Sequence, residues 1–141
     1  MEFIFAIAIL IFSVILHEIS HGYAAYLLGD STAKYAGRLT LNPLKHLDIF
    51  GSVILPAFTY LTGGFILGWA KPVPFNPYNL KNQKWGPAIV GLAGPLANIL
   101  VVVIFGVFIR VGGQFALLPL SFFQIAALVV LVNLQLTVLN L

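Results

Sequence analysis

The chain has 141 residues, of which 60% are hydrophobic and only 8% are charged, a composition more apolar than that of ordinary globular domains. It predicts a single-domain, all-α integral membrane protein. The net charge of +3 is small and the basic residues cluster in two loops, which gives nucleic-acid binding no support. The absence of cysteine excludes disulfides and thiolate ligands, so histidine and carboxylate side chains are the candidate metal ligands.

The first segment, residues 3–28, is apolar except for a His-Glu-Ile-Ser-His motif at its centre. It is long enough to span a bilayer, which takes about 20 apolar residues. The motif begins at His17, roughly 20 Å along the helix from Phe3 and still within the membrane. His17 and His21 are four residues apart and share a helical face, so one metal ion can bind both. Glu18 can then act as general base toward a metal-activated water.

Two interpretations of this motif compete. In the first, the histidines are hydrogen-bonded packing residues of a helix bundle and Glu18 is paired elsewhere. In the second, they form a metal site. An acidic group near the bilayer centre costs about 2.5–3.5 kcal/mol on insertion scales, and such groups usually have a function. No Lys or Arg in the segment neutralises Glu18. The sequence therefore favours the metal site.

Residues 29–48 form a loop that begins with a helix stop and turn residues. Residues 35–41 partly alternate between apolar and polar side chains, which predicts a short strand at the membrane surface. An ordinary connecting loop fits the same pattern equally well.

The second apolar segment, residues 49–67, is interrupted by glycines and a proline, so it either crosses the membrane or dips in and returns. The loops on its two sides, 29–48 and 68–86, each carry three Lys or Arg residues. Basic loops favour the cytoplasmic side. The charge count therefore leaves the orientation undecided if the segment spans, or indicates that it is re-entrant.

Prolines dominate the stretch after this segment, with three of them in the six residues 72–77. They forbid a helix and predict an extended, rigid run. Trp69, Tyr78 and Trp85 suit the headgroup region. The run is either a substrate-contacting loop or an interfacial connector.

Two further spans are expected, at residues 87–109 and 117–141, which makes a bundle of three to four transmembrane helices. Gly91, Gly94 and Asn98 share one face of the third span, where they serve either close helix packing or support of a metal site. Asn133, Thr137 and Asn140 share one face of the fourth. A polar stripe in a membrane helix predicts a face turned to the bundle interior.

These motifs together resemble the site-2 protease family of intramembrane zinc metalloproteases. The resemblance rests on His-Glu-Ile-Ser-His at 17–21, Gly-Leu-Ala-Gly-Pro-Leu-Ala-Asn at 91–98 and the stretch 133–141. The run Gly-Trp-Ala-Lys-Pro-Val-Pro at 68–74 is similar to one common in the bacterial and archaeal branch. The family's fold is a set of transmembrane helices around a buried zinc, and its reaction is cleavage of a substrate's transmembrane segment within the bilayer.

By this resemblance His17 and His21 would be zinc ligands and Glu18 the catalytic base. Asn140 matches the asparagine that opens the family's Asn-x-x-Pro…Asp-Gly motif and would stabilise the oxyanion. The family's third ligand is the Asp of that motif, which would follow Leu141, so the chain is expected to be C-terminally incomplete and inactive as it stands.

Three other groups, Asp30, His46 and Asp48, are weaker substitutes for the third ligand. The expected partners are the lipid bilayer and a transmembrane protein substrate, and the expected location is the cell membrane, as a multi-pass protein. The alternative function is a non-catalytic metal-binding membrane protein or an inactive family member. Transport is disfavoured because Glu18 is the one acidic residue deep in a span.

Overall fold

The computed structural model describes residues 2–63, 69–115 and 119–140. This part of the chain is helical and contains no strand. Its α-helices are α1 (Glu2–Leu27), α2 (Thr32–Tyr35), α3 (Leu55–Gly63), α4 (Gly86–Phe115) and α5 (Leu120–Leu139). Shorter turns of 3-10 helix lie at Pro43–Lys45 and Pro77–Asn79, and a π-helical turn, Phe50–Ile54, leads into α3.

Three helices are long and apolar enough to cross a membrane: Phe5–Leu27 in α1, Gly86–Gly113 in α4, and Leu120–Leu139, which is α5. The predicted all-helical fold is therefore confirmed for the described residues, which contain three helices of this length. The third span was expected to end near residue 109 but continues to Phe115. Gly112 lies against the ring of Phe123 in α5, so packing offsets the low helix propensity of glycine there.

The long helices form a bundle in which α4 runs antiparallel to its two neighbours. His21 of α1 bonds to Val90 of α4, and His17 lies beside Asn98, so residue numbers rise in opposite directions along the pair. The helix α5 returns beside α4 and pairs with α1 through Asn133. Accordingly α1 and α5 run in parallel, and the C-terminal ends of both lie beside the start of α4.

The strand predicted for residues 35–41 is wrong. Gly37 takes a left-handed backbone conformation, with φ of 63°, and ends α2. Its N–H donates to the carbonyl of Lys34, and the N–H of Arg38 donates to the carbonyl of Ala33. This pair of bonds closes a helix C-terminus and consumes the backbone groups that a strand would need. The helix cap therefore outweighs the alternating pattern.

The two ends of the second apolar segment lie side by side, whereas its crossing or re-entry of a membrane stays a prediction. The N–H of Trp69 donates to the carbonyl of Gly51 at 3.0 Å, so the chain after the segment lies beside the chain before it. A side chain on Gly51 would overlap the Trp69 indole. Residues 64–67 of this segment lie outside the described residues, as do residues 117, 118 and 141 of the fourth.

This arrangement places both basic loops at one end of the bundle. The N–H of Lys81 donates to the carbonyl of Leu28 at 2.8 Å, which joins the second loop to the end of α1. Six of the seven Lys and Arg residues lie in these two loops, and Arg110 lies toward the other end of α4. Both loops therefore lie at the same end of the helix bundle, whereas the charge count placed no constraint on their relative position.

Candidate metal centre

The two histidines of α1 face each other on the side of the helix that packs against α4. Their Nε2 atoms are 3.0 Å apart, and the imidazole rings meet edge to face with centroids 4.7 Å apart. His17 is buried, with 5% of its surface exposed. The helical spacing of four residues produces this convergence directly.

A glycine of α4 makes room for the two rings. A Cβ on Gly94 would overlap Nε2 of both His17 and His21, so only glycine fits there. Gly91, one turn earlier, has open space where a Cβ would be. Of the two small residues that the sequence suggested for close packing, only Gly94 lies against the histidines.

The outer nitrogens of the histidines are held by α4. Nδ1 of His21 lies 2.7 Å from the carbonyl of Val90, which can only accept, so this Nδ1 carries the proton and Nε2 is the acceptor nitrogen of the neutral ring. Nδ1 of His17 lies 3.1 Å from the amide Nδ2 of Asn98. Val90 carried no sequence signal, because its contribution is a backbone carbonyl.

Asn98 is fully buried, and its Oδ1 has no hydrogen-bond partner. A half-turn of this amide would place Oδ1 at His17 Nδ1, where it accepts a hydrogen bond from Nδ1–H. Both Nε2 lone pairs would then point into the same space. Support of a metal ligand through its second ring nitrogen is a common arrangement.

This arrangement fits zinc as two of its ligands. Nitrogen ligands lie about 2.0–2.1 Å from zinc, so in tetrahedral geometry two of them are about 3.3 Å apart. The observed Nε2 separation of 3.0 Å is within a few tenths of an ångström of that value. No group of three or more His, Cys, Asp or Glu able to hold a metal occurs in the described ranges.

The three substitute ligands are used elsewhere. The carboxylate of Asp30 accepts hydrogen bonds from Thr32, Asn76 and Asn79. His46 Nε2 bonds to the carbonyl of Thr40 at 2.7 Å. Asp48 accepts from the N–H of Gly51 at 2.7 Å. The structure thus brings together His17 and His21, with neither Asp nor a third His joining them.

Glu18 is half-buried and lies against the proline-rich run. Its Oε2 accepts a hydrogen bond from the N–H of Val73 at 2.9 Å. Oε1 has no partner within residues 2–63, 69–115 and 119–140. No pattern in the sequence predicts this contact directly. An indirect sign is that, of the three residues 72–74, only Val73 has a backbone N–H that can donate a hydrogen bond.

The polar stripe of α5 is only partly internal. Asn133 is fully buried and donates to Ser13 Oγ at 2.9 Å, and Thr137 is also buried. Asn140 is exposed at the end of α5, and its amide donates to the carbonyl of Leu136 at 2.7 Å. Since α5 runs parallel to α1 and Asn133 pairs with Ser13, Asn140 lies about 10 Å further along, level with Ser20.

Comparisons with known proteins identify the family of this chain. The family model described as Peptidase family M50 matches residues 5–115. The Bacillus subtilis protein "Putative zinc metalloprotease YwhC" is 46% identical over 92 residues, covering 65% of this chain and 39% of that protein. "Putative zinc metalloprotease Rip2" of Mycolicibacterium smegmatis is 35% identical over 102 residues, covering 72% of this chain and 38% of that protein.

The region matched is thus about two fifths of the length of these relatives. No solved structure matches the chain. The family match covers most of the chain and includes both histidines, Glu18 and the α4 residues that support them. This chain belongs to peptidase family M50, the site-2 protease family of metalloproteases.

Proposed function

We propose that this protein is a zinc-dependent endopeptidase that cleaves membrane-protein substrates within the bilayer. The observation that carries the proposal is the pair of imidazoles facing each other beside Gly94, with Nε2 atoms 3.0 Å apart. An adjacent carboxylate, Glu18, comes from the same turn of α1. The names of the relatives, which mention zinc metalloprotease, support the same chemistry.

His17 and His21 would hold the zinc through Nε2. When bound, zinc supplies Lewis-acid polarisation of the scissile carbonyl and lowers the pKa of a water. Glu18 takes the proton of the attacking water on Oε1, which has no hydrogen-bond partner among the described residues, and passes it to the leaving amine. The N–H of Val73 keeps Oε2 engaged, so the carboxylate presents one defined oxygen.

Catalytic zinc has three protein ligands as a rule. The third would come from outside the described residues, as the resemblance to the Asp-Gly motif implies. Asn140 would stabilise the oxyanion from the end of α5, where it is level with the histidine pair. Its amide would have to leave the carbonyl of Leu136 to do so.

Water would reach the site from the end of the bundle that carries the basic loops. His17 is ten residues from the end of α1, about 15 Å along the helix. Six of the seven Lys and Arg residues lie at this end, which favours the cytoplasmic side of a cell membrane. A transmembrane substrate would enter from the lipid and unwind locally, because an intact helix keeps its carbonyls hydrogen-bonded.

The orientation can be tested with single cysteines, since the chain has none of its own. Cysteines at Lys45 and Lys81 should both react with a membrane-impermeant maleimide from the cytoplasmic side, and one at Gly113 should react from the other side. Labelling of Lys45 and Lys81 positions from opposite sides would refute the shared face.

The function itself is tested by zinc content and cleavage in the natural full-length protein. Glu18→Gln should retain zinc and lose cleavage by at least about 100-fold, the lower range for general acid–base catalysis. His17→Ala should lose both zinc and cleavage. A non-catalytic metal-binding protein would keep zinc and show no cleavage even before substitution, and retained turnover in Glu18→Gln would remove that residue from its role.

A further inference from the structure

The side chain of Arg38 is almost completely buried, with 6% of its surface exposed, yet no carboxylate in the described part of the chain pairs with it. Its Nη2 instead donates to the carbonyl of Lys71 at 2.5 Å and, more weakly, to that of Pro72 at 3.3 Å. Its Nε has no partner. Burying a guanidinium without an anion is costly. The position of Arg38 against these two carbonyls therefore calls for an explanation.

Those carbonyls belong to the run that touches Glu18. Lys71 also donates its own N–H to the carbonyl of His46 at 2.9 Å, so its peptide groups are fixed on both sides. Two residues later the N–H of Val73 donates to Glu18 Oε2. Pro72 links the two contacts, and its ring fixes φ near −65°, which makes the connection stiff.

The far end of the run is fixed as well. The N–H of Asn76 donates to Oδ2 of Asp30 at 2.6 Å. The segment 71–76 is therefore held at its start by Arg38 and His46, at its end by Asp30, and contacts the candidate base in the middle. Pro74 stiffens the second half in the same way that Pro72 stiffens the first.

We infer that Arg38 is a positioning residue for Glu18, acting through the backbone of Lys71, Pro72 and Val73. Arg38 fixes the register of this run, and the run holds Oε2 of Glu18 so that Oε1 faces the reacting water. The inference rests on the proposed role of Glu18 as general base. The inference assigns a function to Arg38, which lies in a loop outside the three long helices.

The first test is amide hydrogen exchange of the segment 71–76 in the natural full-length protein, measured in the zinc-bound form. Because positions 72 and 74 are prolines, the segment has few amides and Val73 can be followed alone. Arg38→Ala should speed exchange at Val73 by about tenfold or more, as expected for a locally released hydrogen bond. Exchange at Asn76, exchange in α1, and the zinc content should stay unchanged.

Lys45→Ala is the matched control, because Lys45 is an exposed cation of the same loop. It should leave exchange at Val73 unchanged. If Val73 stays protected in Arg38→Ala, the inference is overturned. Arg38→Lys guards against misfolding, since it keeps the charge and loses the fork of donors. If Arg38→Ala and Arg38→Lys both lose protection throughout α1, the inference is also overturned. Faster exchange confined to Val73 in either of these two Arg38 variants supports it.

The second test separates kcat from KM. Val73→Pro removes the single N–H that contacts Glu18 and continues a proline-rich run. With a leucine-rich synthetic transmembrane peptide as substrate, kcat should fall about 10–100-fold, as for loss of other supporting hydrogen bonds, while KM and zinc content stay within about threefold. Ala70→Pro is the control, because the N–H of Ala70 makes no hydrogen bond to any residue that the structure describes.

The two proposals fail differently. Turnover that survives Glu18→Gln refutes the role of the base, whatever Val73 does. An inactive Glu18→Gln beside an unchanged kcat in Val73→Pro leaves the proposed function standing and overturns the positioning role. A double variant of Arg38→Ala and Val73→Pro should be no slower than Val73→Pro alone, because both act on the same contact; additive losses would contradict that.

Discussion

Two buried polar clusters in this protein are satisfied to different degrees. The Asp30 cluster, at the end of α1 among the loops, consists of Asp30, Thr32, Asn76 and Asn79. The carboxylate is fully buried and accepts four hydrogen bonds, from Thr32 N and Oγ1 at 3.1 and 2.5 Å, from Asn76 N at 2.6 Å and from Asn79 Nδ2 at 2.9 Å. Both of its oxygens are occupied.

The histidine cluster, at membrane depth, consists of His17, His21 and Asn98. Here two Nε2 atoms face each other and a buried amide oxygen has no partner. Buried polar groups are nearly always hydrogen-bonded, so those that are not call for an explanation. The Asp30 cluster is thus fully hydrogen-bonded, whereas the histidine cluster retains an unpartnered amide oxygen, which is consistent with the proposed metal site.

The largest effect on the difference between the two clusters is expected from filling the space beside the histidines. Gly94→Ala would place a methyl group against both Nε2 atoms. Loss of a supporting hydrogen bond typically weakens zinc affinity about 10–100-fold. We expect Gly94→Ala to weaken zinc affinity more than that and to abolish cleavage. Zinc affinity measured by competition with a chromogenic chelator would show this.

Gly91→Ala is the matched control for that variant. It lies on the same helix with open space at the Cβ position, so it should bind zinc like the wild type. Equal zinc affinity in the two variants would contradict the assignment of the space beside Gly94.

The unpartnered amide offers a second test. Asn98→Ala removes the group beside His17 Nδ1, and we expect zinc affinity to fall about 10–100-fold with the fold intact. Asn98→Asp, which can still accept from Nδ1–H, should retain more affinity than Asn98→Ala. The reverse order would argue that the amide donates to His17 in the zinc-bound protein.

The Asp30 cluster should respond in stability and not in zinc affinity. Asp30→Ala leaves four donors without their acceptor, and we expect a loss of about 3 kcal/mol, the scale for buried hydrogen bonds to a charged group. Thermal unfolding and zinc titration of the same sample would separate the two clusters. A drop in zinc affinity without a drop in stability would break the distinction between them.

The same cluster predicts a pH dependence. Burial raises the pKa of Asp30, but hydrogen bonds from Thr32, Asn79 and Asn76 outweigh it, so the pKa lies below its ordinary value. The stabilisation is therefore complete above about pH 4, near the unfolded pKa, and is lost as the pH falls through the lower folded pKa. Below pH 4 the melting temperature should fall more steeply in the wild type than in Asp30→Asn.

The smallest effect is expected for an exposed pair. Lys34 Nζ donates to the Tyr26 hydroxyl at 3.0 Å, and this contact raises the pKa of Lys34. Water screens such pairs. Lys34→Ala should change neither the melting temperature nor zinc affinity beyond experimental error, and a clear change in either would connect this surface pair to one of the two clusters.

Local pattern was sufficient for the parts of this protein that depend on a single helix. The spacing of His17 and His21 put both imidazoles on one face, and the apolar runs marked the three long helices. The strand expected at residues 35–41 failed because Gly37 caps a short helix there. The placement of both basic loops at one end of the bundle was not predicted, because it depends on contacts such as Trp69 with Gly51, between residues far apart in sequence.

The sequence by itself determined that this is a helical membrane protein with two histidines and a carboxylate on one turn, because hydrophobic length and a spacing of four are local properties. Only the tertiary structure decided what surrounds them: Gly94 beside the imidazoles, Asn98 at His17, Val73 at Glu18 and Arg38 behind the run. These contacts join segments 33 to 81 residues apart. These contacts involve backbone groups and closely packed atoms, which produce no periodic pattern in the sequence.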